Sequence, residues 1–301
     1  MFGARGVFTL LAVIILTLGI QTRARAGDTG FLNRTVKVGA ENFKYQVYVP
    51  SNWTKKQKWP VILFLHGAGE RGDDGLLQTE VGIGTVIRRH PERVPAIVVL
   101  PQCEKGHWWL EPAMQAQALG ALNQSIKEFN GDATRTYLTG LSMGGNGTWE
   151  MAANNLGKFA AIAPICGPVR ILPRYGTMVN DELQSEKRYQ MVAQKIGKIP
   201  VWVFHGEADT VVPVSESRMM VEAIKAAGGD VRYNEYVGVG HDSWNKAYME
   251  PGFFPWLFSY ELNSAGQVQR HNRQEDKDRK EEKERKEEKD RKGDKDRKGR
   301  K

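Results

Sequence analysis

The pentapeptide Gly140-Leu141-Ser142-Met143-Gly144 closes a short apolar run at 136–139 and opens a segment with helical spacing that continues to Asn155. A strand that turns at once into a helix presses its backbone against neighbouring strands, a contact that glycine tolerates best, and it holds the residue at the turn in a strained conformation. Ser142 would then project clear of the sheet. A serine hydroxyl is a weak nucleophile that needs a base, and the base needs an acid to fix its tautomer and support its charge. Among six histidines, His241 in Val239-Gly240-His241-Asp242 stands just past the last strand-like run. Asp209, in His205-Gly206-Glu207-Ala208-Asp209-Thr210, occupies the turn between a strand-like run at 200–204 and a helical segment at 213–227. Glu207 and Asp242 are rival acids, although Asp242 adjoins His241 and neighbouring side chains on an extended loop diverge. A serine, a histidine and an aspartate in this chain order, each at a strand end, point to acyl transfer through a covalent serine adduct.

Such chemistry also needs donors aimed at the developing oxyanion, each worth about 100- to 1,000-fold in turnover. The backbone N–H of Met143 at the start of the helix is one candidate. The other is Ala68 in His66-Gly67-Ala68-Gly69-Glu70, where small residues follow the apolar run at 61–65. A phosphate cradle is disfavoured there, because no Lys-Ser or Lys-Thr follows the glycines. Trp108, Trp109 and Trp244 follow strand ends as well and are candidates to line a substrate pocket. Cys103 and Cys166 read as small buried residues without the spacing of a metal site. No metal and no cofactor is expected.

The elements that would position these residues follow from hydrophobic pattern. Alternation at 43–49 predicts a sheet-edge strand with one wet face. Unbroken apolar runs at 61–65, 96–100, 136–139, 159–165 and 200–204 predict parallel strands covered on both sides, with a last strand at 231–237. Helical segments at 112–129 and 213–227 lie between them. Alternating strands and helices make an α/β fold with a mostly parallel sheet, and ligands bind beyond the carboxyl ends of its strands. The segment 170–198 is long enough for a small lid, and its charges predict no strong apolar face.

Charge separates the chain of 301 residues into three parts. Residues 1–26 carry three positive charges and no negative ones. Residues 268–301 carry sixteen Lys or Arg against eleven Asp or Glu, and the part between is neutral. The net charge of +8 therefore belongs to the ends, which argues against a nucleic-acid surface on the folded part. Arg5, the apolar run at 7–20 and Ala24-Arg25-Ala26 have the order of a secretory signal cleaved after Ala26. The expected location is secreted or periplasmic, with an uncleaved amino-terminal membrane anchor as the alternative. Residues 27–266 are expected to form the catalytic domain. Residues 267–301 are expected to form a solvated, disordered tail repeating from Lys277, Lys283, Lys289 and Lys295; it is either a solubilising appendage or a contact for an anionic envelope or polymer.

Taken together, the stretches HGAGERGDD at 66–74, PQC at 101–103 with WW at 108–109, TGLSMGGNGTW at 139–149, APICG at 163–167, PVWVFHGEADTVVPV at 200–214 and VGHDSWNKAY at 239–248 resemble the α/β-hydrolase superfamily. More narrowly they are similar to secreted esterases and predicted peptidases akin to polyhydroxybutyrate depolymerase and feruloyl esterase domains, over residues 34–262. The resemblance implies an α/β-hydrolase fold, Ser142 as nucleophile, Asp209 as acid, His241 as base, and Met143 with Ala68 as the oxyanion hole. The expected activity is hydrolysis of carboxylic esters, either small molecules or esters linked to polysaccharide. A serine peptidase acting on short peptides and a non-catalytic envelope-binding protein are the alternatives.

Overall fold

The computed structural model describes residues 29–170 and 185–271. The expected signal sequence, residues 171–184 of the expected lid segment and the repeats of the tail lie outside the described residues. Eight strands form one sheet in the order β1-β2-β4-β3-β5-β6-β7-β8. They are β1 Gly30–Val38, β2 Glu41–Val49, β3 Trp59–Leu65, β4 Ile97–Pro101, β5 Gly131–Leu141, β6 Ala161–Ile165, β7 Val201–Gly206 and β8 Val231–Tyr236. β1 pairs antiparallel with β2 and β2 antiparallel with β4, while every pairing from β4 through β3 to β8 is parallel. The carboxyl ends of β3 to β8 thus open on one rim.

The central strands are apolar on both faces because both are covered. In β3, Val61, Leu63 and Leu65 point to one core with Ile97, Val99 and Leu138, while Ile62 and Phe64 point to the other with Val98, Leu100 and Tyr137. The first core is closed by α2 (Pro112–Glu128), α3 (Met143–Asn154), α4 (Lys187–Ile196) and α5 (Ser215–Ala226). The second is closed by α1 (Ile83–Arg89), the short α6 (Trp244–Ala247) and α7 (Phe253–Leu257), and the hairpin of β9 (Tyr260–Leu262) with β10 (Val268–Arg270). A fully buried side chain such as Leu65 contributes about 1.5–3 kcal/mol.

Three expectations need correction. β2 is not the edge, since β1 lies outside it; its supposedly wet face is covered, with Gln46 Nε2 donating to Gly75 O at 2.8 Å and Tyr48 against Phe31. The segment expected to lack an apolar face carries one in α4, where Tyr189, Val192, Ala193 and Ile196 are all buried. The folded part does not end at Gly266, because β10 pairs with β9, and His271 N donates to Ser259 O at 2.9 Å. Cys103 and Cys166 are buried and free.

The sheet meets α3 almost without space. A Cβ on Gly144 would stand 1.9 Å from Leu65 O, and one on Gly140 would stand 2.3 Å from Gly144 O. Gly144→Ala should therefore cost more than about 3 kcal/mol in urea unfolding, at the upper end of overpacking effects. Gly69→Ala, where nothing lies within 4 Å, should leave the midpoint nearly unchanged; equal losses would refute the argument.

At the end of β3, His66 is wholly buried. Its Nδ1–H donates to Gly67 O at 2.6 Å and its Nε2 accepts from Cys103 N–H at 2.9 Å, so the neutral ring ties β3 to β4. Burial foremost, with the Arg71 charge also opposing a proton, pushes the imidazole down to about 4. Between that value and about 6.5 the unfolded chain binds a proton that the folded chain refuses, so acidification destabilises the fold by about 1.4 kcal/mol per pH unit, roughly 3 kcal/mol in all. Urea midpoints at pH 7 and pH 4.5 should show this loss in the wild type and a smaller one in His66→Gln.

Candidate active site

Each residue singled out at a strand end sits on the common rim, because parallel strands deliver their carboxyl ends together. Ser142 follows β5 at φ 53 and ψ −115, with α3 starting at the next residue. The backbone holds this strained conformation from both sides. Ser142 N–H donates to Ile165 O at 2.9 Å, and Ser142 O accepts from Asn146 N–H at 3.0 Å. The side chain is thereby thrust off the sheet, where His241 Nε2 lies 2.9 Å from Ser142 Oγ. His241 stands beyond β8, and its Nδ1–H donates to Asp209 Oδ2 at 2.7 Å. Hydroxyl, imidazole and carboxylate therefore touch in series, with Nε2 of the ring facing the serine hydroxyl.

Asp209 is the acid that reaches the ring, and its carboxylate is wholly buried. Oδ1 accepts from Val211 N–H at 2.8 Å and Val212 N–H at 2.9 Å. Oδ2 accepts from His241 and also from His205 Nε2–H at 3.1 Å. Burial pushes this carboxyl up, but the donors of His205, His241 and Val212 outweigh it and hold the group well below the usual carboxylate range. Neither rival acid reaches the ring: exposed Glu207 accepts from Gly238 N–H at 3.0 Å, and Asp242 accepts from Asn245 at 3.2 Å.

Met143 is the first residue of α3, so its N–H has no partner within the helix and is free to meet an anion at the helix start. Ala68 opens the 3-10 turn Ala68–Glu70 after β3. That loop packs on the serine turn, since a Cβ on Gly67 would stand 2.9 Å from Leu141 Cδ1 and 3.7 Å from Ser142 Cβ. Trp244 sets its ring edge to face on His241 at 5.4 Å between centroids. Trp108 is half-buried under the Arg71 guanidinium, 5.0 Å from its ring centre. Trp109 is a correction: it is wholly buried, donates Nε1–H to His66 O at 3.0 Å and packs against Gly147, so it supports the loop from beneath and offers no surface to a substrate.

Several residues of the site escaped the sequence reading. His205 is wholly buried, with Nε2 also 3.0 Å from Val212 O and Nδ1 2.7 Å from Ser217 Oγ on α5. Because Nε2 faces two acceptors, it carries the proton. Its position four residues before Asp209, at the end of β7, was the available signal. Cys166, after β6, is a second. It is buried at φ 41, and burial pushes its thiol up to about 12. Glu216 on α5 is a third: it accepts from Val169 N–H and Arg170 N–H, each at 3.0 Å, and fixes the chain where it leaves the β6 end.

No helix among the described residues is long and apolar enough to cross a membrane. The model of the dienelactone hydrolase family matches residues 105–274, more than half of the chain. A crystal structure of a thermostable esterase superimposes with a TM-score of 0.64 at 33% identity, covering 77% of this chain and 63% of that one, and establishes the α/β-hydrolase fold. An uncharacterized secreted protein of Arthroderma benhamiae is 28% identical over 222 residues, 67% of this chain and 23% of its own length. A bifunctional acetylxylan esterase/xylanase of Neocallimastix patriciarum is 32% identical over 125 residues, 40% of this chain and 17% of that enzyme. The chain thus spans less than a quarter of the length of either of these two relatives. With an eight-stranded sheet of this topology and a family match running from the β4 end through the last strand, the chain belongs to the dienelactone hydrolase family.

Proposed function

We propose that the protein is a secreted serine hydrolase of carboxylic esters. The observation that carries this reading is the unbroken series Ser142 Oγ, His241 Nε2 at 2.9 Å, and Asp209 Oδ2 at 2.7 Å from His241 Nδ1. Ser142 Oγ attacks the ester carbonyl while its proton passes to His241 Nε2, and Asp209 stabilises the imidazolium without taking the proton. The oxyanion of the tetrahedral adduct points to the N–H groups of Met143 and Ala68. Collapse expels the alcohol, which leaves with the proton from Nε2. Water then attacks the acyl-serine with His241 as base, and the acid departs as Ser142 regains its proton. Trp244 and the exposed part of Trp108 flank the substrate.

The order of charges and apolar residues at 1–26 supports export, and one relative is described as secreted. The acetylxylan esterase relative favours esters carried on polysaccharide, such as acyl groups on sugar hydroxyls, over small free esters. The charged tail would then hold the protein near an anionic polymer or envelope.

A fluorophosphonate probe should label the folded protein at Ser142 and leave Ser142→Ala unlabelled; an unlabelled wild type would end this reading. Turnover of acetylated xylan or a nitrophenyl ester should exceed that of a peptide anilide, and the reverse would favour a peptidase. Asp209→Asn should lower kcat by about three to four orders of magnitude, whereas Glu207→Gln should leave it near wild type.

His205 acts through Asp209 as a positioning residue. His205→Phe should lower kcat about 10- to 100-fold, the worth of one hydrogen bond to a charged group, with little change in KM. His205→Gln, which keeps an N–H, should recover most of that loss. Equal loss in both variants would reduce His205 to packing.

A further inference from the structure

Beside the Asp209–His241 pair lies the buried thiol of Cys166, with the Ser142 backbone against it. The sulfur, a carboxylate oxygen of Asp209 and a ring nitrogen of His241 all lie within 4.8 Å of one another. The wholly buried hydroxyl of Ser243 lies against the thiol and makes no hydrogen bond to any other group. These groups come from the ends of β6, β7 and β8, which is why no spacing in the sequence announces them. One sulfur, one imidazole nitrogen and one carboxylate oxygen, with a hydroxyl or water as fourth ligand, is a donor set suited to a borderline-soft cation with tetrahedral preference.

We propose that Cys166, Asp209 and His241 form a binding site for a thiophilic divalent cation, zinc first among them, and that occupancy switches off the Ser142–His241 relay. Zinc bonds of roughly 2.3 Å to sulfur and about 2.0–2.2 Å to nitrogen and oxygen put tetrahedral ligands about 3.5 Å apart. The cluster must contract by about 1 Å at its widest, while the Asp209–His241 pair opens from its 2.7 Å contact. The carboxylate is already oriented for this, with Val211 and Val212 N–H on Oδ1 and His205 on Oδ2. His241, with 19% of its side chain exposed, is the point of entry.

The charge balance closes. The thiol releases its proton to solvent, and the thiolate and the Asp209 carboxylate neutralise the dication. His241 binds through Nδ1, so the proton that Nδ1 carries in the metal-free protein moves to Nε2. Nε2–H then donates to Ser142 Oγ and has no lone pair with which to accept the serine proton. No oxidation or reduction is involved. Binding stands by itself; inhibition rests on the reading of Ser142 and His241 given under Proposed function.

The test uses the full-length purified protein. Equilibrium dialysis with zinc should find one ion bound per chain, and cobalt in its place should give a thiolate-to-metal absorption band. The band should vanish in Cys166→Ser and persist in Cys103→Ser, which controls for the other cysteine. Nitrophenyl ester turnover should fall at least about tenfold as zinc fills the site and return on adding EDTA. In Cys166→Ser the zinc concentration needed should rise by at least about 100-fold, since even partners outside the ligand shell change affinity roughly 10- to 100-fold. His241→Gln supplies a second variant for the dialysis and cobalt arms, and it too should weaken binding. No thiolate band in the folded wild type, or equal zinc sensitivity in wild type and Cys166→Ser, would overturn the proposal. If the band appears but the fluorophosphonate probe fails to label Ser142, the metal site stands and the esterase reading falls.

Discussion

Everything at the rim depends on how closely the first turn of α3 lies on the sheet. Leu65 O stands where a Cβ of residue 144 would be, and Ile165 O and Gly167 crowd the corresponding position at Gly145. This contact leaves one path for the chain between β5 and α3, and that path runs through positive φ at Ser142. A non-glycine residue there costs about 1–3 kcal/mol, which the surrounding hydrogen bonds must offset. The outcome is a hydroxyl whose place is set by backbone on three strands, and a helix N-terminus aimed at the same point.

The second constraint is electrostatic. The Asp209 carboxylate has no contact with solvent, yet it stays ionised because four donors converge on its two oxygens. Two of those donors are backbone N–H groups of the turn that leads into α5, so the fold itself supplies them. This arrangement fixes the carboxylate plane and leaves Oδ2 directed at the His241 ring. It also explains why Glu207 could not replace it: that side chain leaves the same loop toward solvent and spends its carboxylate on Gly238.

The parallel strands were legible because burial on both faces writes an unbroken apolar run, and the serine turn was legible because its glycines have no substitute. Chain order and strand-end position were enough to bring out Ser142, Asp209 and His241 as a set. β1 was not legible: it pairs on one side only, and residues such as Asn33, Lys37 and Thr35 leave no run to read. Helix α4 was hidden by the charges around it, although its buried positions 189, 192, 193 and 196 keep helical spacing. Trp109 was misplaced because sequence puts it beside Trp108 without saying that successive side chains part, one to the rim and one beneath it. Cys166 was missed because Asp209 and His241 stand at the ends of other strands, which only the sheet brings together. His205 was missed although Asp209, Val212 and Ser217 follow it within twelve residues, because spacing does not show that the ring turns back onto the carboxylate.

The geometry around Asp209 raises a question of selection among near-equals. Two serine–histidine pairs share its Oδ2. One runs through His241 to Ser142, the other through His205 to Ser217 with a contact of 2.7 Å. Hydrogen-bond geometry does not separate them, but access does. Ser217 and His205 are buried inside the packing of α5 on β7, where no carbonyl can approach and no water can follow an acyl group. His66, the third strand-end histidine, has both nitrogens committed to backbone. His241 alone of these three combines a carboxylate on one nitrogen, a rim serine on the other and a partly exposed ring. The proposed chemistry is therefore assigned by which relay the fold leaves open to solvent, and the closed relay serves to hold the shared carboxylate in place.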